Sequence, residues 1–199
     1  VAYSIEGGGS KDFKKTKSFM KEHPEELKEF LDILSNACYE YLRQQVLSGV
    51  NALQIFDSWA DLLSGNDLEN FSLQYTRRLT SLLKADPITS NIPIILFEKA
   101  PKKNIIEIVF EDIACVSLYW QEDIGSVNEV LRNKYAIQGN LDPKVLLGSD
   151  ESIWNETQKI CSVMNEYPGF IFNLGHGITP DINPDKVQVM IDALRAEAS

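Results

Sequence analysis

Positive charge, histidine and cysteine are all scarce in this sequence, and each shortage closes a class of function. Across 199 residues, 29 Asp and Glu outnumber 19 Lys and Arg, giving a formal net charge of -10. Nucleic acid, whose phosphates demand clustered Lys and Arg, is therefore not expected as a partner. The densest basic run, Lys11, Lys14, Lys15, Lys17 and Lys21, is interleaved with Asp12 and Glu22 and reads as the solvated face of a helix. Cysteines number only 3, and Cys38, Cys115 and Cys161 lie far apart. With no Cys-x-x-Cys or His-x-Cys spacing, they indicate neither a disulfide framework nor a sequence-local zinc site. Cys38 and Cys115 sit in apolar stretches, as buried free thiols do, and a reducing cytoplasm suits the set. No apolar run is long enough to cross a bilayer, so no membrane is expected. The chain opens at Val1 with neither Met nor the basic region and cleavage site of a signal peptide, and reads as part of a longer protein.

What is present is a globular composition. At 44% apolar and 24% charged residues, the chain can bury a core and is not disordered by composition. A glycine turn, Gly7-Gly8-Gly9, leads to a helix over about Ser10–Lys21. His23-Pro24 breaks it, and a longer helix follows, with an apolar stripe of Leu27, Phe30, Leu31, Leu34, Cys38, Tyr41 and Leu42 that ends near Gly49. Strands are expected at Ala52–Phe56, Ile92–Phe97, Ile113–Leu118, Tyr135–Gly139 and Phe170–Asn173. Helices alternate with them. One is capped by Asp67, with the stripe Phe71, Tyr75, Leu79 and Leu82, and stops at Asp86-Pro87. A short one lies near Asn104–Phe110, and others span Asp123–Asn133, Glu151–Asn165 and Pro184–Ala198. Such alternation implies a parallel sheet with right-handed crossovers. A (β/α)8 barrel needs eight units in roughly 250 residues. Five units, with the opening residues as the tail of a further strand, make an incomplete barrel over residues 1–199, one partial domain.

In parallel α/β folds the carboxyl ends of the strands carry function. Here those ends hold Tyr3, Asp57-Ser58-Trp59, Glu98-Lys99, Tyr119-Trp120, Gln138 with Asn140, and Asn173 with His176. His176 lies between Gly175 and Gly177, where backbone can approach a ligand closely, whereas His23, before a proline, reads as structural. Ser58 has no Gly-x-Ser-x-Gly context and is not a nucleophile elbow; hydrogen bonding to a ligand and helix capping both remain open to it. Phe56 by spacing alone reads as core. Lys99 reads as a cation at the mouth, as a Schiff-base lysine, or, more commonly for such a residue, as an ordinary ion-paired lysine. The Gly7-Gly8-Gly9-Ser10 run matches no phosphate-binding pattern and reads as a tight turn.

Four segments in order resemble the uroporphyrinogen decarboxylase family. They are Tyr3-Ser4-Ile5-Glu6-Gly7-Gly8-Gly9-Ser10, Gln54-Ile55-Phe56-Asp57-Ser58-Trp59-Ala60, Gln138-Gly139-Asn140-Leu141-Asp142-Pro143, and Asn173-Leu174-Gly175-His176-Gly177-Ile178 with Pro180 beyond it. The resemblance implies a (β/α)8 barrel, a homodimer, and removal of carboxyl groups from the four acetate arms of uroporphyrinogen III to give coproporphyrinogen III. A pyrrole ring protonated at carbon would be the electron sink, so it implies neither metal nor organic cofactor. By position Tyr3, Ser58 and His176 match residues that contact substrate, and Phe56 matches an apolar wall. The family's key aspartate and arginine-rich motif lie upstream of this chain. No catalytic residue is therefore assigned here, and the chain alone is expected to be inactive. None of Arg43, Arg77, Arg78, Arg132 and Arg195 falls at an expected strand end. Tyr119-Trp120 stands where the family usually has Asp-Trp, and Ala100-Pro101 follows Lys99 where glycine is usual. A zinc-dependent corrinoid or coenzyme M methyltransferase of the same fold would need His and Cys ligands that this sequence does not place, with a cysteine in the position of His176. A non-catalytic porphyrinogen-binding relative is the other alternative.

Overall fold

A computed structural model of the chain describes residues 1–99, 110–131 and 134–197. The chain divides into two compact units, Val1–Leu53 with Leu63–Ile92, and Gln54–Leu62 with Pro93–Ser199.

The first unit is helical. Helix α1 (Ala2–Glu6) overturns the expected strand tail, because its backbone groups are satisfied within the segment. Ile5 N donates to the Val1 carbonyl at 3.1 Å, and Gly7 N to the Tyr3 carbonyl at 2.9 Å. Gly7 ends the helix at φ 80, in the left-handed region that glycine occupies without steric cost. The Glu6 carboxylate accepts from Thr16 N and Thr16 Oγ1, both at 2.9 Å. The Thr16 amide is the main reason that the Glu6 carboxyl titrates below its ordinary range. Helix α2 (Lys14–Glu22) starts later than expected, since Phe13 takes a left-handed φ of 51 that interrupts the helical path. Its ring is 1% exposed, and burying it offsets the roughly 1–2 kcal/mol that such a backbone costs a residue with a β-carbon. The expected lysine face is solvated, Lys14 pairing with Asp12 at 3.0 Å. His23 packs on Phe19 with ring centroids 5.2 Å apart, a structural joint as expected.

Helix α3 (Pro24–Leu47) begins on its proline and runs to the Ser48-Gly49 stop, Gly49 having φ 98. The expected stripe is buried at Leu27 and half-buried at Phe30, Leu31, Leu34 and Leu42, but Cys38 and Tyr41 are exposed. The buried seam also takes in Ser35, whose hydroxyl donates to the Leu31 carbonyl at 2.8 Å; this offset turns Cys38 outward. Helix α4 (Asn66–Leu68), a π-helical turn (Glu69–Leu73) and helix α5 (Gln74–Ala85) run on as one rod. Gly65 occupies the cap position expected for Asp67, which lies inside the first turn. The π turn inserts a residue and shifts the helical register. The buried face therefore reads Leu68, Ser72, Leu73, Thr76, Leu79, Thr80 and Leu83, while Phe71, Tyr75 and Leu82 are only half-buried. Arg77 pairs with Glu69 at 2.6 Å, and Arg78 pairs with Asp32.

The second unit is built on a five-stranded sheet in the order β1 (Leu53–Asp57), β2 (Ile94–Glu98), β3 (Cys115–Ser117), β4 (Ala136–Leu141), β5 (Phe170–Leu174). Pairing from β2 through β5 is parallel, with Ile95 opposite Cys115, Cys115 opposite Ala136 and Ile137 opposite Phe170. Strand order equal to chain order is what repeated right-handed crossovers produce. Helix α6 (Ile124–Leu131) follows β3, α7 (Asp150–Met164) follows β4 after a 3-10 turn (Pro143–Leu147), and α8 (Pro184–Glu197) follows β5. Most of the helix expected near Asn104–Phe110, and the last residues of those expected to end at Asn133 and Ala198, lie outside the described residues. Strands β2, β3 and β4 are buried nearly throughout, as sheet covered on both faces should be. The outer strands are not: Phe56 and Ile171 are 63% and 43% exposed. Burial pushes the Cys115 thiol up to about 12, an inert core sulfur as expected. Among the described residues no helix is long and apolar enough to cross a membrane.

Asp86, just past α5, gathers three donors. Arg43 Nε and Tyr39 Oη reach Oδ2 at 2.8 and 2.9 Å, and Ile88 N reaches Oδ1 at 2.9 Å. The Ile88 amide, then Tyr39 and Arg43, hold its carboxyl below the usual range. A lowered folded pKa contributes stability above the ordinary carboxylate range and loses it as pH falls through the folded value. Asp86→Asn should lower the Tm of the full-length protein by a few degrees at pH 7. The gap from wild type should narrow as pH falls below the ordinary carboxylate range; an equal gap there and at pH 7 in melting curves contradicts the assignment.

Candidate functional site

The carboxyl ends of β1, β2, β3 and β5 bring together a cluster of rings and one ammonium group. Lys99 N donates to the Asp57 carbonyl at 3.0 Å just beyond β1 and β2. Trp59 N donates to Asp57 Oδ1 at 3.3 Å, turning the chain into a short 3-10 segment (Ala60–Leu62). That turn brings Asp61 Oδ2 within 3.0 Å of Lys99 Nζ, and the lysine side chain is only 15% exposed. The same Nζ lies 5.1 Å from the Tyr119 ring centroid and 5.8 Å from that of Trp59. Each such contact contributes about 0.5–2 kcal/mol, the upper end where water is largely excluded. Lys99 is thus the ion-paired lysine, and also a cation at the strand ends.

Phe97 in β2, 4% exposed, is the floor of this cluster. Its ring lies 5.9 Å from Phe56 and 6.5 Å from His176, the histidine standing nearly perpendicular at 82°. Tyr119 approaches the same imidazole at 6.0 Å and 77°, and lies 5.4 Å from Trp120. Edge-to-face contacts of this kind contribute about 0.5–1.5 kcal/mol beyond area burial, and they fix ring orientation. His176 is itself exposed, supported from behind and open in front. Phe56, read as core from spacing, proves mostly exposed, because it lies on the outermost strand of the sheet.

Gly175 sets the position of His176. A β-carbon on it would lie 2.3 Å from Trp120 N and 2.5 Å from Trp120 Cα, and backbone atoms offer no rotamer through which to yield. The Gly175 amide donates to the Leu141 carbonyl at 2.8 Å, so three strand ends meet at one residue.

Gln138 and Asn140, expected among the mouth residues, are buried at 4% and 5% exposure and bond to protein. Gln138 Nε2 donates to Ser117 Oγ at 3.0 Å. Asn140 Nδ2 donates to the carbonyls of Tyr119 at 3.0 Å and Glu122 at 2.7 Å, pinning the loop that carries Tyr119. A buried amide needs such partners, and these two support the site instead of lining it. The peptide between Gly139 and Asn140 is cis. Asn173 spends its Oδ1 on the neighbouring Leu174 amide, at 2.8 Å.

The expected substrate-contacting residues are placed as follows. Phe56 and His176 come together around Phe97. Ser58 is half-buried immediately beyond β1. Tyr3 belongs to α1 of the first unit and is 54% exposed. Sequence reasoning missed Asp61 and Phe97. Asp61 was hidden because a carboxylate on a 3-10 turn has no periodic signal, and Phe97 because an apolar residue in a buried strand looks like any other.

Residues 1–197 match the family model for uroporphyrinogen decarboxylase (URO-D). A uroporphyrinogen decarboxylase of Ruthia magnifica is 39% identical over 194 residues, covering 98% of this chain and 56% of that protein. One from Chloroherpeton thalassium is 36% identical over 199 residues, covering 98% and 56%. One from Pseudomonas putida is 38% identical over 194 residues, covering 98% and 55%. The chain belongs to the uroporphyrinogen decarboxylase family. It spans just over half the length of these relatives. A solved methyltransferase from Methanosarcina mazei shares the fold at a TM-score of 0.73 and 18% identity, covering 94% of this chain and 54% of that one. The expected class therefore stands: an α/β chain forming an incomplete (β/α)8 barrel of uroporphyrinogen decarboxylase type.

Two substitutions probe how the decarboxylase-family strand ends are held. Gly175→Ala should cost about 3 kcal/mol in urea unfolding of the full-length protein, the range of overpacking against an unyielding neighbour. A loss below about 0.5 kcal/mol would contradict the close approach. Asn140→Ala should cost about 2 kcal/mol by the same measurement, two hydrogen bonds being lost and two carbonyls left without their donor. An unchanged midpoint would remove its supporting role.

Proposed function

We propose that the full-length protein containing this chain is a uroporphyrinogen decarboxylase acting on the four acetate arms of uroporphyrinogen III to give coproporphyrinogen III. The observation that carries this reading is the family match over residues 1–197, which includes every strand end that contributes to the ring cluster. In each step an acetate arm loses CO2 and takes up one proton, leaving a methyl group. The electron pair of the broken C–C bond needs a transient sink, which a carbon-protonated pyrrole provides within the substrate itself. The protein's task is then to hold carboxylate arms and stabilise developing charge more strongly in the transition state than in the ground state.

In this reading His176 and Ser58 donate to carboxylate arms and Tyr3 offers its phenol, while Phe56 is an apolar wall for a macrocycle. An exposed imidazole propped by Phe97 and Tyr119 suits such a role. No catalytic residue is assigned within residues 1–199, and the chain alone should not turn over substrate. Residues 1–199 are read as one partial barrel domain, and the full-length protein as a cytoplasmic homodimer. A monomer in sedimentation would remove the dimer.

The test is an anaerobic assay of the full-length protein with uroporphyrinogen III. Stepwise loss of four carboxyl groups is expected, with His176→Ala raising KM about tenfold or more, as loss of a hydrogen bond to a charged group should. No decarboxylation by pure, folded, full-length protein defeats the reading.

A further inference from the structure

Tyr119 touches both polar groups of the ring cluster. Its centroid lies 5.1 Å from Lys99 Nζ and 6.0 Å from the His176 ring. Its backbone is held independently, through the Asn140 side chain bonded to its carbonyl at 3.0 Å. Lys99 is drawn from another direction by Asp61 at 3.0 Å. Asp61 balances the formal charge of the ammonium. The negative face of the aromatic ring attracts it without adding another, so the donors not spent on Asp61 can still meet an anion.

We propose that Tyr119 is a positioning residue, whose ring holds the Lys99 ammonium and the His176 imidazole as a pair that receives one carboxylate arm of the substrate. The inference rests on the decarboxylase reading and adds to it Lys99 as an anion-binding group and Tyr119 as its support. An ammonium has three donors, of which one serves Asp61, and an imidazole presents at least one more. A carboxylate accepts from both.

The experiment measures kcat and KM of the full-length protein for uroporphyrinogen III, as wild type and as three variants. Tyr119→Leu should raise KM about tenfold while kcat stays within about threefold, a loss of binding and not of the chemical step. Tyr119→Phe keeps the ring and should restore KM to within about twofold of wild type. In a Lys99→Met background, Tyr119→Leu should add about threefold or less, because one of the two groups it holds is gone. If Tyr119→Leu does not yield folded protein, Tyr119→Met, which fills the space without a π face, takes its place. A KM within twofold of wild type for the ring-less variant overturns the inference. So does Tyr119→Phe being as impaired as that variant, or an undiminished tenfold increment without Lys99. A purely structural role would lower the active fraction and leave KM unmoved. Wild-type protein that decarboxylates nothing overturns the functional reading and this inference together, whereas an active wild type with an indifferent Tyr119 overturns this inference alone.

Discussion

A β-carbon on Gly175 would lie 2.3 Å from the Trp120 nitrogen, so the two backbones can meet only while position 175 is glycine. Much of the second unit's arrangement follows from that contact. It places the turn after β5 against the turn after β3, and His176, one residue on, falls beside Tyr119. The Gly175 amide also bonds to the last carbonyl of β4, so the junction is fixed in two directions. A histidine on a glycine-flanked turn would otherwise sample many orientations, at a conformational cost that ligand binding would have to overcome. Here backbone packing meets that cost before any ligand arrives.

The polar residues at the strand ends divide by burial into those that hold the site and those that form it. Gln138 and Asn140 are enclosed, and their amides are committed to Ser117 and to the loop carrying Tyr119. Lys99, His176 and Ser58 keep some access to water. An enclosed amide that failed to bond would cost more than it contributes when paired, so the buried pair fixes geometry and is poorly suited to exchange partners with a ligand. A signature such as Gln138-Gly139-Asn140-Leu141-Asp142-Pro143 thus carries the architecture of the site more than its chemistry. The same holds for Asp142, which accepts from the Lys144 amide at 2.9 Å and starts the turn after β4.

The alternation of strand and helix was legible because buried parallel strands and amphipathic helices leave strong periodic marks, and the five strands fall within a residue or two of their expected places. Features that depend on a single insertion or a single dihedral left none. The π turn at Glu69–Leu73 changes which residues of the following helix are buried, and nothing in the apolar spacing announces it. Phe13 in a left-handed conformation delays α2, although phenylalanine is among the residues least expected there. The segment around Tyr3 has the composition of a strand end, but backbone groups bond to whatever is nearest, and its own carbonyls were nearest. In the ring cluster, Gly175 and His176 were legible because their chemistry is rare or conformationally special. Phe97 and Asp61 were not, since their importance lies entirely in what the fold brings to them.

The charge balance becomes intelligible once the cations are located. Arg43, Arg77 and Arg78 are each paired with a carboxylate among the helices of the first unit, where they join elements to one another. The Arg77 and Arg78 pairs are exposed, and surface pairs of that kind contribute little individually and are screened by salt, whereas the pair of Arg43 with Asp86 is partly buried. Net charge describes the far field of a molecule, but a ligand carboxylate at contact distance responds to the nearest few groups, and most strongly where water is thin. At the strand ends those groups are a largely enclosed ammonium balanced by one aspartate, an imidazole, and ring edges that present positive charge. A chain with a net charge of -10 can therefore offer a polyanion a favourable local surface without a cluster of arginines. Donors oriented in advance would also have an advantage in the proposed decarboxylation. They would hold the arms that stay, without bonding so tightly to the carboxylate that leaves as to stabilise the ground state against its loss.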